Sequence, residues 1–305
     1  MPEKQLTSSL PAATHWPWIS RDSRDRWSSR LLAIVQPALR RAGLYYRLRA
    51  SPLYDLYWSV VDRRFIDERA GQLRFYRQLL HGLGPSDLIF DIGANQGVKT
   101  DIFLRLGARV VAVDPDRTST AILEEKFRRL RLRPNRVVVV PKAVADRETV
   151  TTMWVDSPGC TMNTLSAKWV DTLREDTARF GTRLQFGQTQ AIETTTLDRL
   201  AEVHGAPFFI KIDVEGFEIA VLRGLTKAVP YLSFEVNLPE FRTEGLACVE
   251  RLASIAREGQ FNYAIDLRRG LELRRWLPPR AFSHVLEHCG HSSVEVFWRT
   301  GSCRE

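Results

Sequence analysis

The sequence contains few cysteines and no long apolar run. Its four cysteines, Cys160, Cys248, Cys289 and Cys303, lack the Cys-x-x-Cys spacing, which argues against a disulfide framework or a zinc ribbon. The most apolar early segment, Leu31–Val35, is far shorter than the roughly 18 residues that a membrane span requires, and no secretory signal is visible. We therefore expect a soluble globular protein in the reducing cytoplasm.

Two common nucleotide-binding motifs are also missing from the stretch Leu88–Asp101, LIFDIGANQGVKTD. An alanine and an asparagine follow Gly93, so the second glycine of the dinucleotide motif G-x-G-x-x-G is absent. Val98 separates Gly97 from the Lys-Thr pair, whereas a Walker loop has glycine directly before the lysine. NAD, FAD and ATP are therefore disfavoured as cofactors.

The same stretch nevertheless predicts a site for a nucleotide-like cofactor. An apolar strand, a glycine turn and a helix follow one another, which brings backbone N–H groups and a helix N-terminus close to a ligand. Asp114 ends the next strand, where an acidic side chain binds ribose hydroxyls, and the third strand ends where adenine is expected. The candidate cofactor-binding residues are Asp91, Gly93, Ala94, Asn95, Gly97, Asp114, Lys142 and Ala143.

Strands and helices alternate from about residue 81 onward. This alternation predicts an α/β fold with a doubly wound, mostly parallel sheet and a ligand site at the carboxyl ends of the strands. Residues 145–206 depart from the alternation, and we interpret them as an insertion that forms a hairpin and a loop. The insertion is a candidate substrate cover; the alternative is a mobile surface excursion.

Acidic residues follow or interrupt two later apolar strands. Asp213 and Glu215 end the run FFIKIDVEGFE, and Glu235 interrupts the run LSFEVN. If both strands lie parallel to the first, Asp91, Asp213 and Glu235 meet at one edge of the sheet. Carboxylates are costly to bury unpaired, so we expect them to bind a ligand, accept protons or ligate a cation. A helix cap or an arginine partner is the alternative for Glu235.

Four segments resemble the FkbM-type S-adenosylmethionine (SAM)-dependent methyltransferases over about residues 88–237. They are DIGANQG at Asp91–Gly97, VDPD at Val113–Asp116, TTLD at Thr195–Asp198 and IKIDVEGFE at Ile210–Glu218. The resemblance implies the Rossmann-like class I fold, with a seven-stranded sheet whose last strand is antiparallel, and SAM as methyl donor. It also implies O-methylation of a hydroxyl on a sugar, glycan or natural-product acceptor. Asp114 and Lys99 depart from the family, which often has glutamate and an aromatic residue there.

Methyl transfer to a hydroxyl requires one proton acceptor. Asp213 and Glu235 are the candidate catalytic residues, because burial of a carboxylate raises its pKa and makes it a better base. A divalent cation bridging these acids is the rival mechanism. The segment His284–His288 matches the pattern H-x-x-E-H, but its residues fit the polar face of a helix, so we predict no resident metal.

Residues 1–80 form a basic extension with one lysine and thirteen arginines against seven acidic residues. Leu31–Leu44 and Leu53–Phe65 have the pattern of amphipathic helices. Three roles are open for this extension: a helical cap on the methyltransferase domain at residues 81–305, a weak peripheral membrane contact, or a nucleic-acid contact. The motifs of nucleic-acid methyltransferases are absent, so no nucleic-acid partner is expected; a non-catalytic binding module is the other alternative.

Overall fold

The computed structural model describes residues 63–128, 136–176 and 184–301. The helices predicted at Leu31–Leu44 and Leu53–Phe65 therefore lie outside the described residues, apart from the last three positions of the second, which fall within the first helix described. Among the helices that are described, none combines the length and the apolar character needed to cross a membrane.

Ten strands and eight helices make up the described part of the chain. The helices are α1 (Arg63–Leu79), α2 (Val98–Arg105), α3 (Arg117–Arg128), α4 (Ala167–Glu175), α5 (Leu197–His204), α6 (Glu218–Arg223), α7 (Arg242–Ile255) and α8 (Pro279–Glu287). The strands are β1 (Leu88–Ile92), β2 (Arg109–Val113), β3 (Val137–Val140), β4 (Ala143–Val144), β5 (Val150–Val155), β6 (Gln188–Thr195), β7 (Phe209–Ile212), β8 (Tyr231–Asn237), β9 (Gln260–Ala264) and β10 (Ser293–Arg299).

Seven of the strands form the central sheet, in the order β3-β2-β1-β7-β8-β10-β9. The pairs from β3 to β8 are parallel, whereas β10 enters between β8 and β9 and runs antiparallel to both. Chain order reverses direction between β1 and β7, the place where ligands bind in sheets of this kind. The predicted fold, including the antiparallel last strand, is confirmed.

The insertion contains more regular structure than a hairpin and a loop. Strands β5 and β6 pair antiparallel, and β4 joins β6 to complete a small three-stranded sheet. Between β5 and β6 lies α4, which is capped at its N-terminus by Ser166: the Ser166 hydroxyl accepts a hydrogen bond from the N–H of Trp169. Its apolar residues Trp169, Val170 and Leu173 are fully buried, so a helix occupies part of the predicted loop.

The two faces of the central sheet bury different sets of side chains. In β1, Phe90 packs in the large core beneath α4, α6 and α7, whereas Ile89 packs with Tyr76 of α1 and Phe103 of α2 on the opposite face. On this second face, apolar side chains give way to polar ones toward the carboxyl ends of the parallel strands and, in antiparallel β10, toward its amino end. These polar side chains are Asp91, Lys211, Ser233, Glu235 and Glu295.

The turn after β1 is pressed against the end of β7. Gly93 has a φ of 78°, and a Cβ atom there would lie 1.8 Å from the carbonyl oxygen of Asp213. The neighbouring backbone occupies the Cβ position, so packing by itself requires glycine here, and the role of Gly93 toward a ligand stays a prediction. Gly93 thus permits the close approach of two loops at the centre of the sheet.

We expect Gly93→Ala to lower the free energy of unfolding by about 4 kcal/mol or more, because it combines backbone strain with a clash that only a backbone shift relieves. Gly205→Ala is the matched control, since Gly205 also has a positive φ, of 104°, but nothing lies within 4 Å of its Cβ position. The control is expected to cost about 1–3 kcal/mol. Urea unfolding measures both; equal losses would show that the contact with Asp213 is unimportant.

Candidate functional site

A cleft opens at the carboxyl ends of β1, β2 and β7 and encloses about 560 Å³, part of it open to solvent. The central sheet contributes one wall, including Gly93, Asn95, Asp114 and Asp213. The insertion contributes the facing wall, and its lining residues are Met153, Cys160, Thr161, Asn163 and Leu165. The insertion therefore takes part in forming the site.

The predicted cofactor-binding residues fall into two groups. Those that line the cleft are Gly93, Asn95, Asp114, Lys142 and Ala143. Asp91, Ala94 and Gly97 lie behind it: Ala94 is buried against Leu123 and Phe127, and a Cβ at Gly97 would meet the same two side chains at 2.6 and 2.7 Å. Gly97 and Ala94 thus serve the packing of the turn against α3.

Asp91 is fully buried within β1, one residue before the strand ends at the cleft. Its Oδ2 accepts a hydrogen bond of 2.5 Å from the hydroxyl of Thr100, and its Oδ1 has no hydrogen-bond partner among the described residues. Burial raises the pKa of Asp91, and the nearby ammonium of Lys211 partly opposes this. Asp91 therefore does not share the edge with Asp213 and Glu235 as the sequence predicts.

Asp114 organises the turn that follows β1. Its Oδ2 accepts a hydrogen bond from the N–H of Asn95 at 2.8 Å, and its Oδ1 accepts one from the N–H of Asp116 at 2.9 Å. Burial raises the pKa of Asp114 to about 7, although these two hydrogen bonds pull it down. The ionised carboxylate keeps unused lone pairs toward the cleft, where it can accept hydrogen bonds from ribose hydroxyls.

Asp116 connects the insertion to this region and was not among the predicted site residues. Its Oδ2 accepts hydrogen bonds from the N–H of Gly159 at 2.9 Å and from the Asn163 side chain at 2.8 Å. Its Oδ1 accepts bonds from backbone N–H groups at the start of α3. The motif VDPD contains Asp116, but its partners in the insertion lie more than 40 residues away, so no local pattern indicates them.

Three carboxyl groups meet at the edge formed by β7 and β8. Ligand oxygens of Asp213, Glu215 and Glu235 all lie within 4.8 Å of one another. Glu235 accepts a hydrogen bond of 2.7 Å from Ser293 and shares another with Asp213, so its partners are neither a helix cap nor an arginine. The predicted pair Asp213 and Glu235 is together, and Glu215 joins it.

A buried lysine sets the charge of this cluster. Lys211 donates a hydrogen bond of 2.7 Å to Asp213, a group 35% exposed. Burial favours the neutral form of Asp213, but the charge and the hydrogen bond of Lys211 outweigh it and lower the pKa. Burial, followed by the negative charge of Asp213, raises the pKa of Glu235 to about 8. Near neutral pH, Asp213 is therefore ionised and Glu235 carries a proton.

Within the described ranges, this trio is the one group of acidic, histidine or cysteine side chains spaced to share a metal ion. The pattern at His284–His288 does not form such a group; the rings of His284 and His288 lie 4.4 Å apart, and His288 Nδ1 is hydrogen-bonded to the carbonyl of His284. The absence of a resident metal stays a prediction.

Comparison with known families identifies the domain. Residues 91–283 match the model of the methyltransferase FkbM domain. The chain belongs to the FkbM methyltransferase family. No curated protein sequence matches it.

Solved structures similar to this FkbM family member are distant in sequence. Methyltransferase FkbM from Methylobacillus flagellatus KT is 17% identical with a TM-score of 0.46, over 89% of this chain and 60% of that one. A SAM-dependent methyltransferase from Agrobacterium tumefaciens is 10% identical with a TM-score of 0.39, over 76% and 62%. The chain thus spans about 60% of the length of these two proteins.

Family membership indicates SAM as the cofactor of this FkbM domain. The residues present fit such a ligand. The cleft lies at the reversal point of the sheet, and Asp114 presents a carboxylate to it at the end of β2.

We expect the affinity for SAM to fall as the pH is lowered from 8 to 6. The pKa of Asp114 is about 7, and its ionised form is the better acceptor for ribose hydroxyls. Asp114→Asn is expected to weaken binding by about 1.5–3 kcal/mol and to flatten this pH dependence. Calorimetry at pH 6, 7 and 8 measures both effects.

Asp198→Asn is the matched control for Asp114→Asn, because Asp198 also accepts a backbone hydrogen bond, from Thr226, but lies outside the cleft. Melting curves verify that each variant folds. Equal affinity of the wild-type protein at pH 6 and pH 8, or unchanged affinity in Asp114→Asn, would contradict a ribose-binding role.

Proposed function

We propose that the protein is a SAM-dependent O-methyltransferase that acts on a hydroxyl of a sugar, glycan or natural-product acceptor, with Glu235 as the base. The observation that carries this proposal is the hydrogen-bonded pair of Asp213, which lines the cleft, and Glu235, which lies behind it within 4.8 Å; Asp213 is ionised, and the pKa of Glu235 is about 8. Pairs of titratable groups whose surroundings drive their pKa values apart are typical of sites of acid–base catalysis.

The cofactor side of the cleft supplies binding groups of the required kinds. Asp114 would accept hydrogen bonds from ribose hydroxyls, and Gly93 and Asn95 would face the amino-acid part. Lys142 and Ala143, which follow β3, would flank the adenine. These assignments leave the edge that carries Asp213, Glu215 and Glu235, called the acidic edge below, to bind the acceptor.

SAM supplies an activated methyl group with a good leaving group, so the protein itself must orient the acceptor, exclude water and remove a proton. Asp213 is a weak base, because Lys211 stabilises its ionised form. Glu235 is better matched, since a pKa near the working pH favours proton transfer. Glu235 would accept the hydroxyl proton as the acceptor oxygen is methylated, and Asp213 would orient Glu235.

A cation-assisted version of the same reaction has its own support. The carboxylates of Asp213, Glu215 and Glu235 are spaced to share a divalent ion, and oxygen ligands suit Mg²⁺. Coordination would acidify the acceptor hydroxyl directly. Under this version Glu235 acts as a ligand rather than as the proton acceptor, and activity depends on added metal.

We expect Glu235→Gln to retain SAM binding and to reduce turnover by about 10²–10⁴, because glutamine keeps the shape of the side chain but accepts no proton. In the wild-type protein kcat/KM should rise with pH toward a plateau above about 8, as Glu235 ionises, and the variant should lack this rise. The measurement is transfer of a labelled methyl group to a panel of glycosides and polyhydroxylated natural products.

Glu295→Gln is the matched control: Glu295 faces Glu235 across the pair β8–β10, but its carboxylate accepts bonds from Ser233 and Tyr76, and it is not one of the three carboxyl groups that meet at the edge. Turnover should stay within a few-fold of wild type. Loss of activity in EDTA with rescue by Mg²⁺ would favour the cation-assisted version. Full activity in both Asp213→Asn and Glu235→Gln would refute both versions.

A further inference from the structure

The insertion makes a direct contact with the acidic edge. Trp169, at the start of α4, is fully buried, and its indole Nε1–H donates a hydrogen bond of 3.0 Å to Oε2 of Glu215. Its ring packs edge-to-face on Phe241, at the start of α7, with centroids 5.4 Å apart. Packing from two sides fixes the indole, so the direction of its N–H is also fixed.

The backbone of Glu215 is held in an unfavourable conformation. Its φ of 56° lies in the left-handed region, which non-glycine residues rarely adopt. The hydroxyl of Thr164, in the insertion, donates a hydrogen bond of 2.7 Å to the Glu215 carbonyl, and Glu218 accepts bonds from the N–H groups of Val214 and Gly216. Strain maintained by so many contacts is typical of functional sites.

The result is a carboxyl group with one oxygen engaged and one available. The indole of Trp169 bonds Oε2 of Glu215, while the side chain lines the cleft and lies within 4.8 Å of the carboxylates of Asp213 and Glu235. Two carboxyl groups this close, Glu235 and Glu215, are spaced to bind two neighbouring hydroxyls of one molecule.

We propose that the acceptor carries two adjacent hydroxyl groups, one methylated at Glu235 and the other bound by Glu215, and that Trp169 is a positioning residue that orients Glu215. This inference rests on the proposed function and specifies its substrate class. In this proposal the N–H of Trp169 acts through its hydrogen bond to Glu215, so removing that N–H should matter only while the Glu215 carboxyl is present.

A double-mutant cycle tests this dependence. Trp169→Phe removes the N–H donor and keeps an aromatic ring, and Glu215→Ala removes the carboxyl. Each substitution is expected to raise KM about tenfold for a diol acceptor that the wild-type protein methylates. The values of kcat and the affinity for SAM should change less than threefold. In the Glu215→Ala background, Trp169→Phe should add no further increase.

Substrate analogues test the second hydroxyl. Wild-type protein should prefer a methyl hexopyranoside that it methylates over the matched monodeoxy analogue, which lacks the neighbouring hydroxyl, by about 10² in kcat/KM. Trp169→Phe should reduce this preference and Glu215→Ala should abolish it. Thr172→Val is the matched control on α4, since the exposed Thr172 hydroxyl bonds only the Lys168 carbonyl within the helix among the contacts described, and it should keep the wild-type preference.

A third measurement does not depend on turnover. In protein labelled with ¹⁵N-tryptophan, the indole resonance lost in Trp169→Phe identifies Trp169. This resonance should shift in Glu215→Ala and stay in place in Thr172→Val. An unshifted resonance overturns the positioning role. Additive effects of the two substitutions on KM, or equal use of diol and monodeoxy acceptors, overturn this inference but leave O-methylation intact. Failure to methylate any acceptor of the panel counts against the proposed function itself.

Discussion

The charge pattern of the site depends on one buried ion pair. Lys211 is 3% exposed in the middle of the sheet, in register with Asp91 on one side and Ser233 on the other. Burying an ammonium costs several kcal/mol unless it is paired, so Asp213 must remain ionised for the sheet to tolerate it. With that negative charge fixed, Glu235 retains its proton to higher pH. The need to pair the buried Lys211 of β7 thereby sets the protonation states of Asp213 and Glu235.

The insertion is tied to both ends of the same cleft. On the side of Asp114 it supplies the hydrogen bonds of Gly159 and Asn163 to Asp116, and on the acidic side it supplies those of Thr164 and Trp169 to Glu215. These contacts do not fit the alternative of a mobile surface excursion. They mean that displacing the insertion would disturb both sides of the site together.

The parts of this structure that could be predicted are those with local signals. Continuous apolar strands alternating with helices predict the sheet, and parallel strands bring Asp213 and Glu235 to one edge because their carboxyl ends coincide. The contact between Trp169 and Glu215 joins residues 46 positions apart, and nothing in NTLSAKWVD indicates its partner. The close packing at Gly93 is missed for the same reason, since the carbonyl of Asp213 that it accommodates follows another strand.

The raised pKa values also link stability to function. Asp114, Glu218 and Glu235 have pKa values of about 7, 7 and 8 in the folded protein, above those of the unfolded chain near 4. The folded state thus binds more protons over this interval, so its stability falls as pH rises from about 4 to 8. Asp213 has a lowered pKa, so its contribution to folding stability is lost only on acidification.

Because the pKa of Glu235 is raised in the folded protein, the ionisation that would activate Glu235 as a base destabilises the free protein. A bound ligand that interacts favourably with the ionised carboxylates, such as the sulfonium of SAM, would offset this penalty, because it stabilises the charged form that the free protein disfavours.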